Sequence, residues 1–335
     1  MNHFLSPTSL SLDQSRELIA LATELRANPL STRLAGKALG LLFFNPSLRT
    51  RSSMDIAMYH LGGHALTLDV GVGTWKLEHR EGKVMDGEAA EHIKDAAKVL
   101  SRYVDALAIR SFPERVSWGE DRKDPIIESF ARWADKPVVN MESSLWHPCQ
   151  SMADLMTIEN RLGSATREPI VITWAWHPKA LPMAVPNSIL VEAAKFGMDV
   201  RLCHPKGWEL DDQIMQQARG LASAAGGSVQ VYNELDEQVL KGARVVYAKS
   251  WGSITNYRNP EEEERLKQPL RSKWRVRMEH MEATDNAFFM HCLPVRRGVI
   301  VDDEVLDSDR NAAYDEAENR LHVQKAMLLR LLETR

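Results

Sequence analysis

The sequence predicts an α/β protein of two domains, each with a mainly parallel sheet covered by helices, and three observations carry that prediction. Short apolar runs alternate with amphipathic stretches of helical length along nearly the whole chain, the pattern of repeated strand–helix units. The alternation falls into two consecutive series that meet near Pro148. At 335 residues the chain has room for two domains of ordinary size.

The elements follow in order. Ser11 with Gln14 forms a capping-box signature ahead of the helical spacing Leu18, Ile19, Leu21, Leu25, and Asn28-Pro29 ends that helix. The first series predicts strands at 40–44, 65–69, 106–109 and 137–140, with helices at 48–61, 89–100 and 126–134. The second series predicts a helix at 152–162 and strands at 169–174, 199–203, 228–232, 244–248 and 287–291. Residues 256–269 are dense in charge, proline and asparagine and read as an exposed loop. A last helix at 315–332 places Leu321, Ala326, Leu329 and Leu332 on its apolar side. It either closes the second domain or crosses back to the first.

Composition narrows the function. Hydrophobic residues at 44% and charged residues at 26% are ordinary for a globular protein, and a net charge of −4 gives no footprint for nucleic acid. No apolar run reaches membrane-spanning length, and residues 1–12 lack the basic-then-apolar order of a signal peptide. Three widely spaced cysteines, Cys149, Cys203 and Cys292, do not suggest a disulfide framework, so a cytoplasmic setting is expected. There is no Gly-x-Gly-x-x-Gly, Walker lysine loop, Gly-x-Ser-x-Gly, Cys-x-x-Cys or His-Glu-x-x-His. Chemistry without a cofactor or a bound metal is the simplest expectation.

The most informative stretch is Phe43-Phe44-Asn45-Pro46-Ser47-Leu48-Arg49-Thr50-Arg51. An apolar run stops at Asn45-Pro46, and hydroxyls and guanidiniums follow at a helix start. Unpaired backbone N–H groups and the helix dipole favour an anion there, and arginine adds a donor fork that matches phosphate. Four more polar clusters stand at element ends: Arg110 after a strand; Glu142 followed by His147-Pro148-Cys149-Gln150; His291-Cys292-Leu293-Pro294 with Arg296 and Arg297; and Glu316, Glu318, Asn319 and Arg320. Each alone reads as readily as a cap, a turn or a surface charge. In open α/β sheets, however, ligands collect at such strand ends.

Together, Ser-x-Arg-Thr-Arg, the later arginine, His-Pro-x-Gln and His-Cys-Leu-Pro in this order resemble the carbamoyltransferases. The resemblance implies a carbamoyl-phosphate domain (1–148 and 320–335), an amino-acid domain (149–319), a last helix that crosses back to the first, and a homotrimer. It also implies that Ser47, Leu48, Arg49 and Thr50 hold the phosphate with Arg110. His147, Pro148, Cys149, Gln150, the backbone at Cys292 and Leu293, and Arg320 would contact the carbamoyl phosphate. Arg49, Thr50, His147, Gln150, Cys292 and Arg320 would be the catalytic set, acting by position and electrostatics. Cys292 would orient rather than attack.

The second substrate is read from the loop Tyr247-Ala248-Lys249-Ser250-Trp251-Gly252. Family members that use free ornithine carry an aspartate there, followed by Ser-Met-Gly, to pair with the α-ammonium. Lys249 would repel that ammonium. The aspartate-using branch has His-Pro-Leu-Pro where this chain has His-Cys-Leu-Pro. The chain is similar instead to the branch acting on N-acylated ornithine, at Gly73-Thr74-Trp75-Lys76-Leu77-Glu78, Met85-Asp86-Gly87, Asn140-Met141-Glu142, Thr173-Trp174-Ala175-Trp176-His177-Pro178 and Tyr247-Ala248-Lys249. By that resemblance Glu142, His177, Lys249, Leu293 and Arg296 bind the acylated ornithine, and Trp75 reaches a neighbouring subunit's site. Acetyl-specific members have a glutamate just before the pair matching Glu91-His92, and a carboxylated lysine at the place of Ile300. Ala90 and Ile300 therefore favour the N-succinyl substrate, while residues 316–322 resemble the acetyl type. Two alternatives stand beside this reading: a carbamoyltransferase for free ornithine or another amine, and a non-catalytic protein that binds an anionic metabolite.

Overall fold

The structure, a computed structural model, describes residues 2–333. The chain divides into two compact units, one from Met1–Glu114, Gly119–Cys149 and Arg320–Arg335, the other from Arg115–Trp118 and Gln150–Asn319. Met1, Thr334 and Arg335, which fall in the expected first domain, lie outside the described residues.

The first unit is built on four parallel strands in the order His64–Asp69, Ala38–Phe43, Ala106–Arg110, Val138–Glu142. The three strands from Ala38–Phe43 onward are buried almost throughout, which is why they read as continuous apolar runs rather than alternating ones. Helices Ile93–Tyr103 and Pro125–Trp133 pack on them through Ile93, Ala97, Ile127 and Phe130, against Leu42, Leu107, Ile109 and Val138.

The second unit has five parallel strands in the order Phe288–Met290, Val245–Lys249, Pro169–Trp174, Asp199–Cys203, Ser228–Tyr232. Its helix Ala184–Lys195 is buried at every position. An amphipathic pattern is therefore missing from that helix.

Two expected elements take a different form. Residues 89–100 are not one helix: Ala89–His92 is a strand paired in parallel with Lys76–Glu78, and the helix starts only at Ile93. The His92 ring accepts the Lys94 N–H at 3.1 Å and caps the helix. Strand pairing overrides the helix preference of Ala-Ala-Glu. The loop expected over 256–269 contains helix Pro260–Lys267, capped by Asn259, which accepts the Glu262 N–H at 3.1 Å. Glu261, Glu262 and Glu263 fill its first turn and Arg265 and Lys267 its last, so the charges suit the helix dipole. Glu263 and Lys267 are buried, so charge density did not mean solvation there.

The last helix, Ala313–Leu332, starts in the second unit, and from Arg320 onward it belongs to the first. Lys325 on it is fully buried. Its ammonium donates to the carbonyls of Leu25 at 2.6 Å and Pro29 at 3.4 Å, capping the end of helix Leu12–Ala27. Burial lowers its pKa from the ordinary lysine range. Lys325→Met fills the space but strands those carbonyls. Urea denaturation is expected to show a loss of roughly 2–3 kcal/mol, with catalytic rates of the folded protein unchanged.

Candidate active site

Strand Ala38–Phe43 delivers the chain to the Ser47–Arg51 motif. Ser47 Oγ accepts the Thr50 N–H at 3.2 Å and caps the first turn of helix Arg49–His60. Arg51 pairs with Asp69 and lies 4.8 Å above the Phe43 ring, so it braces the motif rather than facing a ligand. Thr50 is buried, and its Oγ1 accepts from Arg320 Nη2 at 2.7 Å. Accepting from a guanidinium polarises the hydroxyl and leaves its own proton to donate.

Arg110 ends the next strand, with its guanidinium 4.5 Å above the Phe112 ring. Its Nη1 donates to Glu142 Oε2 across the adjoining strand, while its buried Nε–H has no acceptor among the described residues. His147 Nε2 stands 3.7 Å from the same Glu142 oxygen. Arg110, Glu142 and His147 thus form one cluster, with Arg110 and His147 buried and Glu142 half-buried. Pro148 opens helix Pro148–Leu162, and Cys149 is enclosed in that helix, where burial pushes its thiol up to about 12. Its side chain packs and stays protonated.

Asp124, which the sequence reading passed over, shapes the approach to His147. Its Oδ1 accepts the N–H groups of Ser144 at 2.8 Å and Leu145 at 3.2 Å, and its Oδ2 accepts from Ser143 Oγ at 2.6 Å. Asp124 precedes Pro125 at a helix start but does not cap it, because its carboxyl is committed to that turn. The dipeptide Asp-Pro was the available signal. Its φ of 47° is a left-handed conformation that aspartate and asparagine tolerate best. Burial outweighs the three hydrogen bonds and pushes the carboxyl up to about 7.

Trp75 is 59% exposed, and its indole N–H donates to Glu91 Oε2 at 2.7 Å. Lys76 pairs with Ala89 and Leu77 with Glu91, so exposed Ala90 is the extra residue of a bulge, the kind of irregularity that re-aims a side chain.

In the second unit, Lys249 ends the strand Val245–Lys249 and is 8% exposed. Tryptophans support its loop: Trp174 donates to the Trp251 carbonyl at 2.9 Å, Trp251 donates to that of Trp208 at 2.8 Å, and the Trp174 ring lies 5.5 Å from that of Trp208. Lys249 Nζ donates to the Ser250 carbonyl at 3.1 Å and has no carboxylate partner among the described residues. His177 Nε2 accepts from Arg296 Nε at 3.0 Å, which places the ring proton on Nδ1, 3.0 Å from the Lys179 carbonyl. Burial, then the charges of Arg296, Lys249 and Lys267, lower the His177 pKa to about 4. Lys267 is neutralised by Glu264. Lys249 and Arg296 therefore remain as two cations beside a neutral imidazole, a setting for a carboxylate.

The other motifs of this unit meet at a buried carboxylate. Gln150 Nε2 donates to Asp154 Oδ1 at 2.8 Å and to Glu316 Oε1 at 2.7 Å. Glu316 Oε2 accepts the His291 N–H at 3.0 Å. His291 Nδ1 in turn accepts the Leu293 N–H at 2.8 Å, which fixes the turn that carries Cys292 and holds Leu293 at a φ of 52°. Ile300 is buried and has only backbone polar groups: its N–H donates to the Arg296 carbonyl and its own carbonyl accepts the Val276 N–H, each at 2.9 Å.

Residues 2–160 match the model of the aspartate/ornithine carbamoyltransferase carbamoyl-P binding domain, and residues 173–331 that of the Asp/Orn binding domain. The chain belongs to the aspartate/ornithine carbamoyltransferase family. It is 42% identical to the N-acetylornithine carbamoyltransferase of Xanthomonas campestris, over 99% of this chain and 98% of that one. It is 38% identical to the N-succinylornithine carbamoyltransferase of Bacteroides thetaiotaomicron, over 89% and 88%. Acetylornithine transcarbamylase complexed with acetylcitrulline superposes with a TM-score of 0.97 at 41% identity, covering 99% of each chain. Among the described residues of this carbamoyltransferase-family chain, no group of His, Cys, Asp or Glu is arranged to hold a metal ion, no cysteine is in a disulfide, and no helix is long and apolar enough to cross a membrane.

Two measurements check this geometry. Asp124→Ala is expected to cost roughly 2–3 kcal/mol of stability, because two N–H groups lose their acceptor. Asp124→Asn, which keeps an acceptor, costs much less at pH 8. For His177 the folded pKa, about 4, lies below the unfolded value of about 6.5, so the unfolded chain takes up the proton first. The contribution of the neutral ring is complete above pH ~6.5 and is lost as pH falls toward ~4, by about 3 kcal/mol at most. Unfolding curves of His177→Gln should lack that part of the pH dependence.

Proposed function

We propose that this chain transfers the carbamoyl group of carbamoyl phosphate to the side-chain amine of an N-acyl-L-ornithine, giving N-acyl-L-citrulline and phosphate in arginine biosynthesis. The observation that carries the reading is the pair Lys249 and Arg296 beside neutral His177, with no carboxylate on either cation among the described residues. A substrate with a free α-ammonium meets repulsion there. One whose α-nitrogen is an amide presents only its carboxylate.

In this reading the unit holding Ser47–Arg51 binds carbamoyl phosphate, and the unit holding Lys249 and Arg296 binds the acylated ornithine. Ser47, the Leu48 backbone, Arg49, Thr50 and Arg110 take the phosphate, joined by Trp75 and by the backbone at Pro148 and Cys149. The amine attacks the carbamoyl carbon as its lone pair forms the new C–N bond. Negative charge gathers on the carbonyl oxygen, where Arg49, Thr50 and His147 donate to it, and Arg320 holds Thr50 in place. The C–O bond to phosphate then breaks. The amine's proton ends on the departing phosphate, so charge balances with no covalent enzyme intermediate. Gln150 and the backbone of Cys292 and Leu293 orient the carbamoyl group. Glu142, His177, Lys249, Leu293 and Arg296 hold the acylated ornithine.

Ala90 places no charge against an acyl carboxylate, so N-succinylornithine is the favoured substrate and N-acetylornithine is accepted. A glutamate-to-alanine mutant of N-acetyl-L-ornithine transcarbamylase has been solved with carbamyl phosphate and N-succinyl-L-norvaline. The exposed Trp75 fits an assembly of three copies in which it reaches a neighbouring site, and a cytoplasmic setting completes the reading.

Steady-state rates at saturating carbamoyl phosphate test it. Both N-acylornithines are expected to turn over with free ornithine at least ~100-fold poorer in kcat/KM, as an unmatched buried charge demands. Equal or better use of free ornithine overturns the argument from Lys249. Binding of carbamoyl phosphate without phosphate release for any amine would make the protein a non-catalytic binder. Arg49→Ala should lower kcat by about 10²–10³-fold with the thermal midpoint little changed.

A further inference from the structure

Gln150 carries an amide whose two ends differ only in donor or acceptor character, and a 180° turn about its last torsion exchanges them. Nothing in a glutamine alone chooses between the two states. Here both hydrogens of Nε2 are taken by carboxylates, Asp154 Oδ1 at 2.8 Å and Glu316 Oε1 at 2.7 Å, and all three residues are buried. The reversed amide would set its carbonyl oxygen against two carboxylate oxygens and forfeit two charge-assisted hydrogen bonds. Oε1 therefore points away from the pair, buried and without a hydrogen-bond partner among the described residues.

Glu316 is itself held on several sides. Its Oε2 accepts the His291 N–H at 3.0 Å and its Oε1 lies 3.5 Å from the Tyr247 hydroxyl. Tyr247 is fully buried at the middle of the strand Val245–Lys249. One carboxylate on the last helix thus ties the His-Pro-Cys-Gln motif to the turn that presents Cys292 and Leu293.

We propose that Glu316, seconded by Asp154, is a positioning residue that fixes Gln150 as a hydrogen-bond acceptor and so makes the site select an acyl phosphate bearing N–H donors. The proposal rests on the reading that Gln150 faces the carbamoyl group. Carbamoyl phosphate offers a –NH2 to that acceptor. Acetyl phosphate is nearly isosteric but puts a methyl there, leaving Oε1 buried and unsatisfied. Glu316→Gln disturbs the lock, because the new amide has only one acceptor for both the His291 N–H and Gln150, and its own NH2 favours the reversed Gln150.

The test compares KM for carbamoyl phosphate with the inhibition constant of acetyl phosphate in the wild type, Glu316→Gln, Glu316→Asp, Asp154→Asn and Gln150→Ala. The ratio of the two constants does not depend on how much of a variant folds, so reduced stability cannot imitate the effect. Glu316→Gln is expected to lower the preference for carbamoyl phosphate about tenfold, the worth of one buried hydrogen bond. Glu316→Asp, which keeps the charge, should retain more of the preference, and Asp154→Asn should fall between. If Glu316→Gln does not accumulate, the other two variants decide by the same ratio. A wild-type ratio in the Glu316 and Asp154 variants, with the preference lost in Gln150→Ala, overturns the positioning role and leaves the transferase reading intact. A wild-type ratio and rate in Gln150→Ala instead removes Gln150 from the carbamoyl group, and the proposal falls with that assignment.

Discussion

In a parallel sheet every strand ends at the same edge, and that constraint puts the candidate site side chains where they are. Phe43 leads to Ser47–Arg51, Arg110 and Glu142 end neighbouring strands, and in the other unit Trp174, Lys249 and Met290 stand at the ends from which His177, the Lys249 loop and His291 emerge. Apart from the edge strands His64–Asp69 and Ser228–Tyr232, the strand interiors are largely apolar and buried, so the chain has few other places to put charge. Sequence-distant motifs become neighbours within each unit for this reason alone.

Electrostatics then divides the labour. In the first unit the guanidiniums are matched in part: Arg51 by Asp69, Arg110 by Glu142, while Arg320 is spent on Thr50. In the second, Lys249 and Arg296 have no carboxylate partner among the described residues and stand beside a histidine held neutral. The difference suits the two substrates proposed above, a phosphate that must leave after reaction and a carboxylate that only needs holding. The fully buried carboxylates of Asp154 and Glu316 accept from the Gln150 amide, and Glu316 also accepts from the His291 backbone N–H.

Much of this was legible in the sequence. Parallel strands announce themselves as short continuous apolar runs, and the nine main strands fall within a residue or two of the expected positions. The two misreadings share a cause: both concerned segments whose character is set by partners far away in the chain. Ala89–His92 is a strand only because Lys76–Glu78 lies beside it, and Pro260–Lys267 looked like a loop because its charges were counted without asking which were buried. The motif residues were visible because chemistry restricts their types. Asp124 and the contacts of Glu316 were not, since each is defined by what it touches, 20 and 166 residues away in sequence.

The most direct measurement supplies carbamoyl phosphate labelled with ¹³C at the carbonyl together with N-succinyl- or N-acetyl-L-ornithine, and follows the carbon by NMR while phosphate is assayed in parallel. The label is expected to move into a ureido carbon on the side-chain nitrogen, one per phosphate released, with almost none from free ornithine. Phosphate release without a ureido carbon, or preferential labelling of free ornithine, would contradict it.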